Sequence, residues 1–261
     1  MTLPLPVDPR ARVRGLRGTG GVIAGTAYLL ENSEHGVAAV TLSSSGTVAP
    51  FALLEPNTFT LATTTAGTAR LAWAVDGTSS SRVEIAGPSA TRPTTLVTAP
   101  PSIRTDHSYV IGRWAADGTS VFVGLDPTGL GGYDVLFGTG LTSLSSVDVA
   151  TLRTTALLPA PTDGQMLCYD DMTRDDTAVV DTCTRRLVTV RTLATHSVRL
   201  ISPPPGTAAY RILRSARFSP DDLRVAFSLN AGDVSSERGA VAVSDGLSGS
   251  SRLLTEFPGS G

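Results

Sequence analysis

Short runs of alternating apolar and polar residues recur along the whole chain. RVEI (Arg82 to Ile85), SVFV (Ser120 to Val123), LVTV (Leu187 to Val190) and RVAF (Arg224 to Phe227) are examples, each bounded by turn-forming residues. A period of two sends successive side chains to opposite faces of a strand, so such runs predict short antiparallel strands with one face buried. Thr, Val, Ser and Gly are plentiful, prolines are scattered throughout, and no long window keeps a 3.6-residue apolar period. The chain is therefore predicted to be all-β.

The runs are organised into a repeat. In RFSPDDLRVAF (217–227) a strand leads through Ser-Pro-Asp-Asp into a second strand. The same frame returns in RWAADGTSVFV and DMTRDDTAVVD, where Phe218, Trp114 and Met172 fall in register, as do Asp221, Asp117 and Asp175. An Asp followed by Gly or Asp suits a tight turn: the carboxylate binds nearby backbone N–H groups and the next residue tolerates positive φ. Weaker copies without the Asp centre on Gly67 and Gly25, so the frame recurs at intervals of 42 to 58 residues. After each turn comes a second unit, strand, polar turn and strand, ending near proline, as in LVTVRTLATHSVRLISPPPG and AVAVSDGLSGSSRLLTEFPG. Five copies of four strands each predict blades of a β-propeller, over residues 11–56, 57–101, 107–161, 164–205 and 210–258. The whole chain is expected to form one propeller domain, with five blades closing the ring or forming part of a six- or seven-bladed one. An open fan would expose apolar faces and strand edges, which favours closure.

RFSPDDLRVAF resembles the WD40-like repeat of TolB-type β-propellers, whose blades open with Phe-Ser-Pro-Asp-Gly before a short apolar strand. AVAVSDGLSGSSRLLTEFPG is similar to the outer hairpin of those blades. The resemblance is strongest over 212–258 and weakest before residue 100. It departs where Asp222 replaces the usual Gly and where the first two repeats lose the Asp. It implies a circular stack of four-stranded blades and favours an extracytoplasmic, cell-envelope location. From Gly20 to Leu30 the chain reads as a strand rather than a signal-peptide core, being interrupted by glycine.

Composition narrows the function. The net charge is −2, and Arg supplies every cationic side chain. The run Arg10, Arg12, Arg14 and Arg17 is read as a solvated leader or edge strand, with an anionic contact as the alternative. This balance excludes a dedicated nucleic-acid surface, and no apolar stretch is long enough for a membrane-spanning helix. No nucleophile elbow, zinc-protease helix, Walker loop or dinucleotide fingerprint is present. His35, His107 and His196 are scattered over different repeats and read as structural or surface residues. Trp73 and Trp114 read as core. No cofactor and no metal is expected, since the acids Asp170, Asp171, Asp175, Asp176 and Asp181 lack a calcium-loop spacing, and turn chemistry accounts for Asp175 and Asp176.

The candidate surface is the face carrying the longer loops, where a rigid scaffold usually displays binding residues. Those loops are Gly124 to Gly140, Asn230 to Gly239, and the connectors near residues 100 and 205. The face gathers Asp106, His107, Asp126, Tyr133, Asp134, Tyr210, Arg211 and Asp233. Cys168 and Cys183 flank a predicted turn; a disulfide or two buried thiols are the alternatives, and strand register decides between them. The reading is a non-catalytic module that binds a protein or peptide partner, of unspecified oligomeric state. Two enzymatic alternatives stay open. A five-bladed glycosidase would need carboxylates converging from several innermost strands, yet the candidates near 59–64, 109–114, 165–172 and 212–218 carry acids only at Asp170 and Asp171. The other is the propeller of a serine peptidase whose hydrolase half lies outside this sequence.

Overall fold

A computed structural model describes residues 20–23, 26–33, 36–42, 45, 47–53, 58–64, 66, 68–76, 81–87, 90, 92–99, 107–127, 139–141, 143–158, 167–182, 187–208, 210, 212–230 and 239–257. Every regular element among them is a strand, and no helix there is long and apolar enough to cross a membrane. The strands form five antiparallel sheets. The first holds β1 (Gly20–Ile23), β2 (Thr26–Ser33), β3 (Gly36–Leu42) and β4 (Val48–Leu53). The second holds β5 (Thr58–Thr64), β6 (Arg70–Asp76), β7 (Ser81–Ala86) and β8 (Thr94–Thr98). The third is built from β9 (His107–Trp114), β10 (Ser120–Pro127), β12 (Ser143–Asp148) and β13 (Thr154–Leu158). The fourth runs β11 (Thr139–Leu141), β14 (Leu167–Met172), β15 (Ala178–Asp181), β16 (Val188–Thr192) and β17 (Val198–Ile201). The last holds β18 (Ile212–Phe218), β19 (Val225–Asn230), β20 (Gly239–Ser244) and β21 (Ser251–Phe257). These are the four-stranded meanders of a β-propeller, with one strand added to the fourth.

The added strand comes from the chain between β10 and β12. The segment 124–140, read as a loop, continues β10 to Pro127 and contains β11, which pairs with β14 of the next sheet before the chain returns as β12. Thus β14 is not the edge of its sheet; β11 is. Nothing in Thr-Gly-Leu alternates, so its strand state is set by the partner and not by local pattern.

The repeated turn is the same object three times. Gly118, Asp176 and Asp222 have φ of 71°, 59° and 57°, and their N–H groups donate to Ala115, Thr173 and Ser219 at 2.9, 3.0 and 2.9 Å. Asp117 accepts from the N–H and hydroxyl of Thr119, Asp175 does so from Thr177, and Asp221 accepts from Leu223 N–H and the Ser219 hydroxyl. These bonds hold all three carboxyls below the usual carboxylate range. A left-handed residue just after the turn is what a short hairpin loop needs, and Gly and Asp adopt that conformation most cheaply.

By contact the chain divides into two compact units, Met1–Thr128 with Ser145–Ala156, and Gly129–Leu144 with Leu157–Gly261. In the first, the second and third sheets share a core of Ala72, Ala74, Val83, Ile85, Leu96, Tyr109, Ile111, Trp114, Val121, Val123 and Val147. Both tryptophans are core as expected, each 5% exposed. The Trp73 indole N–H donates to Glu84, which also pairs with Arg82, and that of Trp114 donates to the Ala62 carbonyl. In the second unit Ala178, Val180, Val188, Val190 and Ile201 of the fourth sheet pack on Val225, Phe227, Leu229, Ala240 and Ala242 of the fifth. At about 25 cal/mol per Å² of apolar surface removed from water, these faces supply the main drive for stacking one sheet on the next.

Candidate functional site

The inner strands of the second unit carry its least ordinary chemistry. In β14, Tyr169 pairs with Asp181 and Asp171 with Val180, so Asp170 is an extra, bulged residue. In β18 the register likewise jumps between Arg214 and Arg217, with Ser215 at φ 50°. A bulge bends its strand and re-aims side chains. The two bulges meet: the Arg217 guanidinium donates to the Asp170 carbonyl, and the Phe218 N–H donates to the Asp171 carboxylate at 2.9 Å.

The Asp170 side chain lies between these strands, 8% exposed. It accepts from the Thr182 hydroxyl at 2.8 Å and from the Ala216 N–H, and it feels the charges of Arg217 and Asp181. Burial dominates and pushes its pKa up to about 6, against the hydrogen bonds and Arg217. Asp181, 3% exposed, forms an ion pair with Arg191 at 2.9 Å. The arrangement could hold or release one proton near neutral pH. Its hydrogen bonds, however, run to the chain's own backbone and to a threonine hydroxyl. Among the described residues no group of three His, Cys, Asp or Glu could hold a metal ion.

A further carboxylate ties the same two sheets at the turns. Asp222, at the repeat position that Gly118 holds in the first unit, accepts from the Arg174 N–H at 2.8 Å. In the first unit the corresponding Gly118 lies against the turn of the second sheet, where a Cβ would fall 2.6 Å from the Ala66 carbonyl oxygen.

Of the loop-face candidates, Asp106, Tyr133, Asp134, Arg211 and Asp233 lie outside the described residues, as does Cys183. His107 and Asp126 lie on strands rather than loops, in the paired ends of β9 and β10, where Pro127 faces His107 and Asp126 faces Ser108. Tyr210 is half-buried and packs on the core of the second unit, with its N–H on the Thr207 carbonyl. Cys168 is placed by backbone register opposite Gly140. His196 occupies a polar hairpin turn at φ 55°. Sequence reasoning singled out Asp170 and Asp171 but missed Thr182, Arg191 and Arg217. One signal was available: Arg217 and Asp171 occupy the same repeat position, directly before the large apolar residue.

Comparison of the sequence with protein-family models and with curated proteins returns no match. Solved structures do match. TolB from Acinetobacter baumannii superposes with a TM-score of 0.56 at 13% identity, covering 84% of this chain and 49% of that one. A chain in the nidogen/laminin complex gives 0.55 at 10% identity, covering 90% and 76%. A puromycin-hydrolysing peptidase of Mycobacterium tuberculosis gives 0.57 at 14%, covering 90% and 37%. The chain thus spans about half the length of the Acinetobacter TolB. Meander sheets, repeated turns and these superpositions agree that the protein has a TolB-like β-propeller fold.

Proposed function

We propose that the protein is a non-catalytic binding module that engages a protein or peptide partner through the connections between its strands. The observation that carries this reading is how the described carboxylates are employed. Asp117, Asp175 and Asp221 close turns, Asp171 and Asp222 accept backbone N–H groups of a neighbouring sheet, and Asp181 neutralises Arg191. Acids that build the scaffold leave the variable connections as the place for recognition. A propeller-like chain in the nidogen/laminin complex supports a protein partner.

The test is selection of binders from a displayed peptide library on the purified chain. Recognition through the loops predicts that Tyr133→Ala, Asp134→Ala and Asp233→Ala together weaken the selected peptides at least tenfold, while Asp171→Asn leaves affinity unchanged. Equal affinity for the triple variant would refute the loop face. A second reading, the propeller of a serine peptidase, is favoured by the superposition on the mycobacterial peptidase. The coding sequence on either side distinguishes it: a hydrolase half there would establish it.

A further inference from the structure

The fourth sheet holds a strand from outside its own meander. Chain leaving β10 of the third sheet passes through β11, which lies antiparallel on the free edge of β14 with Thr139 opposite Tyr169, Gly140 opposite Cys168 and Leu141 opposite Leu167. In the second and fifth sheets the corresponding first strands, β5 and β18, are themselves sheet edges. The edge of β14 thus accepts an added strand, and among the described residues three residue pairs hold the one now there. One of the three is glycine, a residue that weakens strands by its conformational freedom and lack of a side chain to pack. On the other side of β14 the bulge at Asp170 shifts the register of the ladder to β15, and Asp171 just beyond it reaches the Phe218 N–H of β18.

We propose that the β14 edge at Leu167–Tyr169 is a strand-addition site for an extended peptide, and that β11 is its exchangeable resident. Main-chain hydrogen bonds supply affinity in this mode of recognition, so the ligand is defined by extension and by tolerance of the site rather than by charge. The resident strand is the template: residues 135–147 around it carry no charged side chain. The partner segment is accordingly uncharged and extended, with a small residue opposite Cys168. A tethered strand acts at an effective concentration of about millimolar, so β11 sets a threshold that a partner must exceed. This rests on the peptide-binding reading above and deepens it by naming the edge and the ligand's chemistry.

The test uses the full chain with residues 129–141 replaced by Gly-Gly, and a fluorescein-labelled peptide of sequence VLFGTGLTS, matching 135–143. The shortened chain should bind this peptide at least tenfold more tightly than the intact chain does. It should reject VLFGTPLTS, whose proline cannot donate to the ladder. Absence of binding by a shortened chain that still melts cooperatively, or equal binding of both peptides, would overturn the proposal. Should the shortened chain not fold, Gly140→Pro in the intact chain is read by hydrogen exchange. Faster exchange, at least tenfold, over 167–169 supports an exchangeable resident; unchanged exchange there overturns it. Failure here would leave the loop-face selection with Tyr133, Asp134 and Asp233 standing, and failure of that selection would not alter these readouts.

Discussion

The stack of the second sheet on the third and the stack of the fourth on the fifth use one turn geometry and different chemistry. Between the second and third sheets, Arg70 lies 4.8 Å from the centroid of the Trp114 ring and donates to the Gly118 carbonyl at 2.5 Å. Gly118 itself is pressed against Ala66. Between the fourth and fifth sheets no such indole intervenes among the described contacts, and carboxylates of Asp170, Asp171 and Asp222 take the neighbouring backbone instead. A repeat therefore conserves the spacing of its turns while each neighbour contact is solved locally.

Four substitutions probe this contrast, in order of expected effect. Trp114→Ala removes a buried aromatic, its hydrogen bond to Ala62 and the face beneath Arg70, and should cost about 3–5 kcal/mol in denaturant unfolding. Asp170→Asn should act in the opposite direction. Its folded pKa is raised from 3.8 to about 6, so the native state binds the extra proton between those values. Stability of the native chain then falls as pH rises through that window, and the ionised carboxyl costs about 3 kcal/mol at pH 7. An amide can accept from the Ala216 N–H on its oxygen and donate its NH2 to the Thr182 hydroxyl oxygen, and it avoids that cost. The variant should be more stable than the native chain at pH 7, with the advantage gone below about pH 4; equal stability at both pH values would refute this.

Gly118→Ala ranks third. It places a Cβ on a left-handed residue and against the Ala66 backbone, so a loss of about 2 kcal/mol in the same unfolding assay is expected. Asp222→Gly is the smallest. Losing the bond to Arg174 costs about 1 kcal/mol, and freeing a left-handed position returns about as much, so the net change should stay within about 0.5 kcal/mol. A large loss in this variant would mean that the turn-to-turn bond dominates the fourth and fifth sheets' contact.

Much of the scaffold was legible because its signals are local. Asp117, Asp175 and Asp221 sit where hairpins demand a side-chain acceptor, and Gly118, Asp176 and Asp222 sit where positive φ is required. Alternation marks a strand with one face covered, as in β19, where every second residue is buried. In β15 all four residues are buried, and such a strand shows a continuous apolar run instead of alternation. What was not legible depends on tertiary partners. β11 has no pattern of its own, and the bulge at Asp170 becomes visible only when β14 is paired with β15. The same holds for Arg217, whose acceptors belong to another sheet and to its own neighbour, Ala216.

The central claim is that Asp171 on β14 fastens the fourth sheet to the fifth. Amide hydrogen exchange at Phe218 in the native chain and in Asp171→Ala tests it most directly. Loss of the carboxylate acceptor should speed exchange of that amide at least tenfold while β20, remote from the bond, is unchanged. Unaltered exchange at Phe218 would contradict the claim.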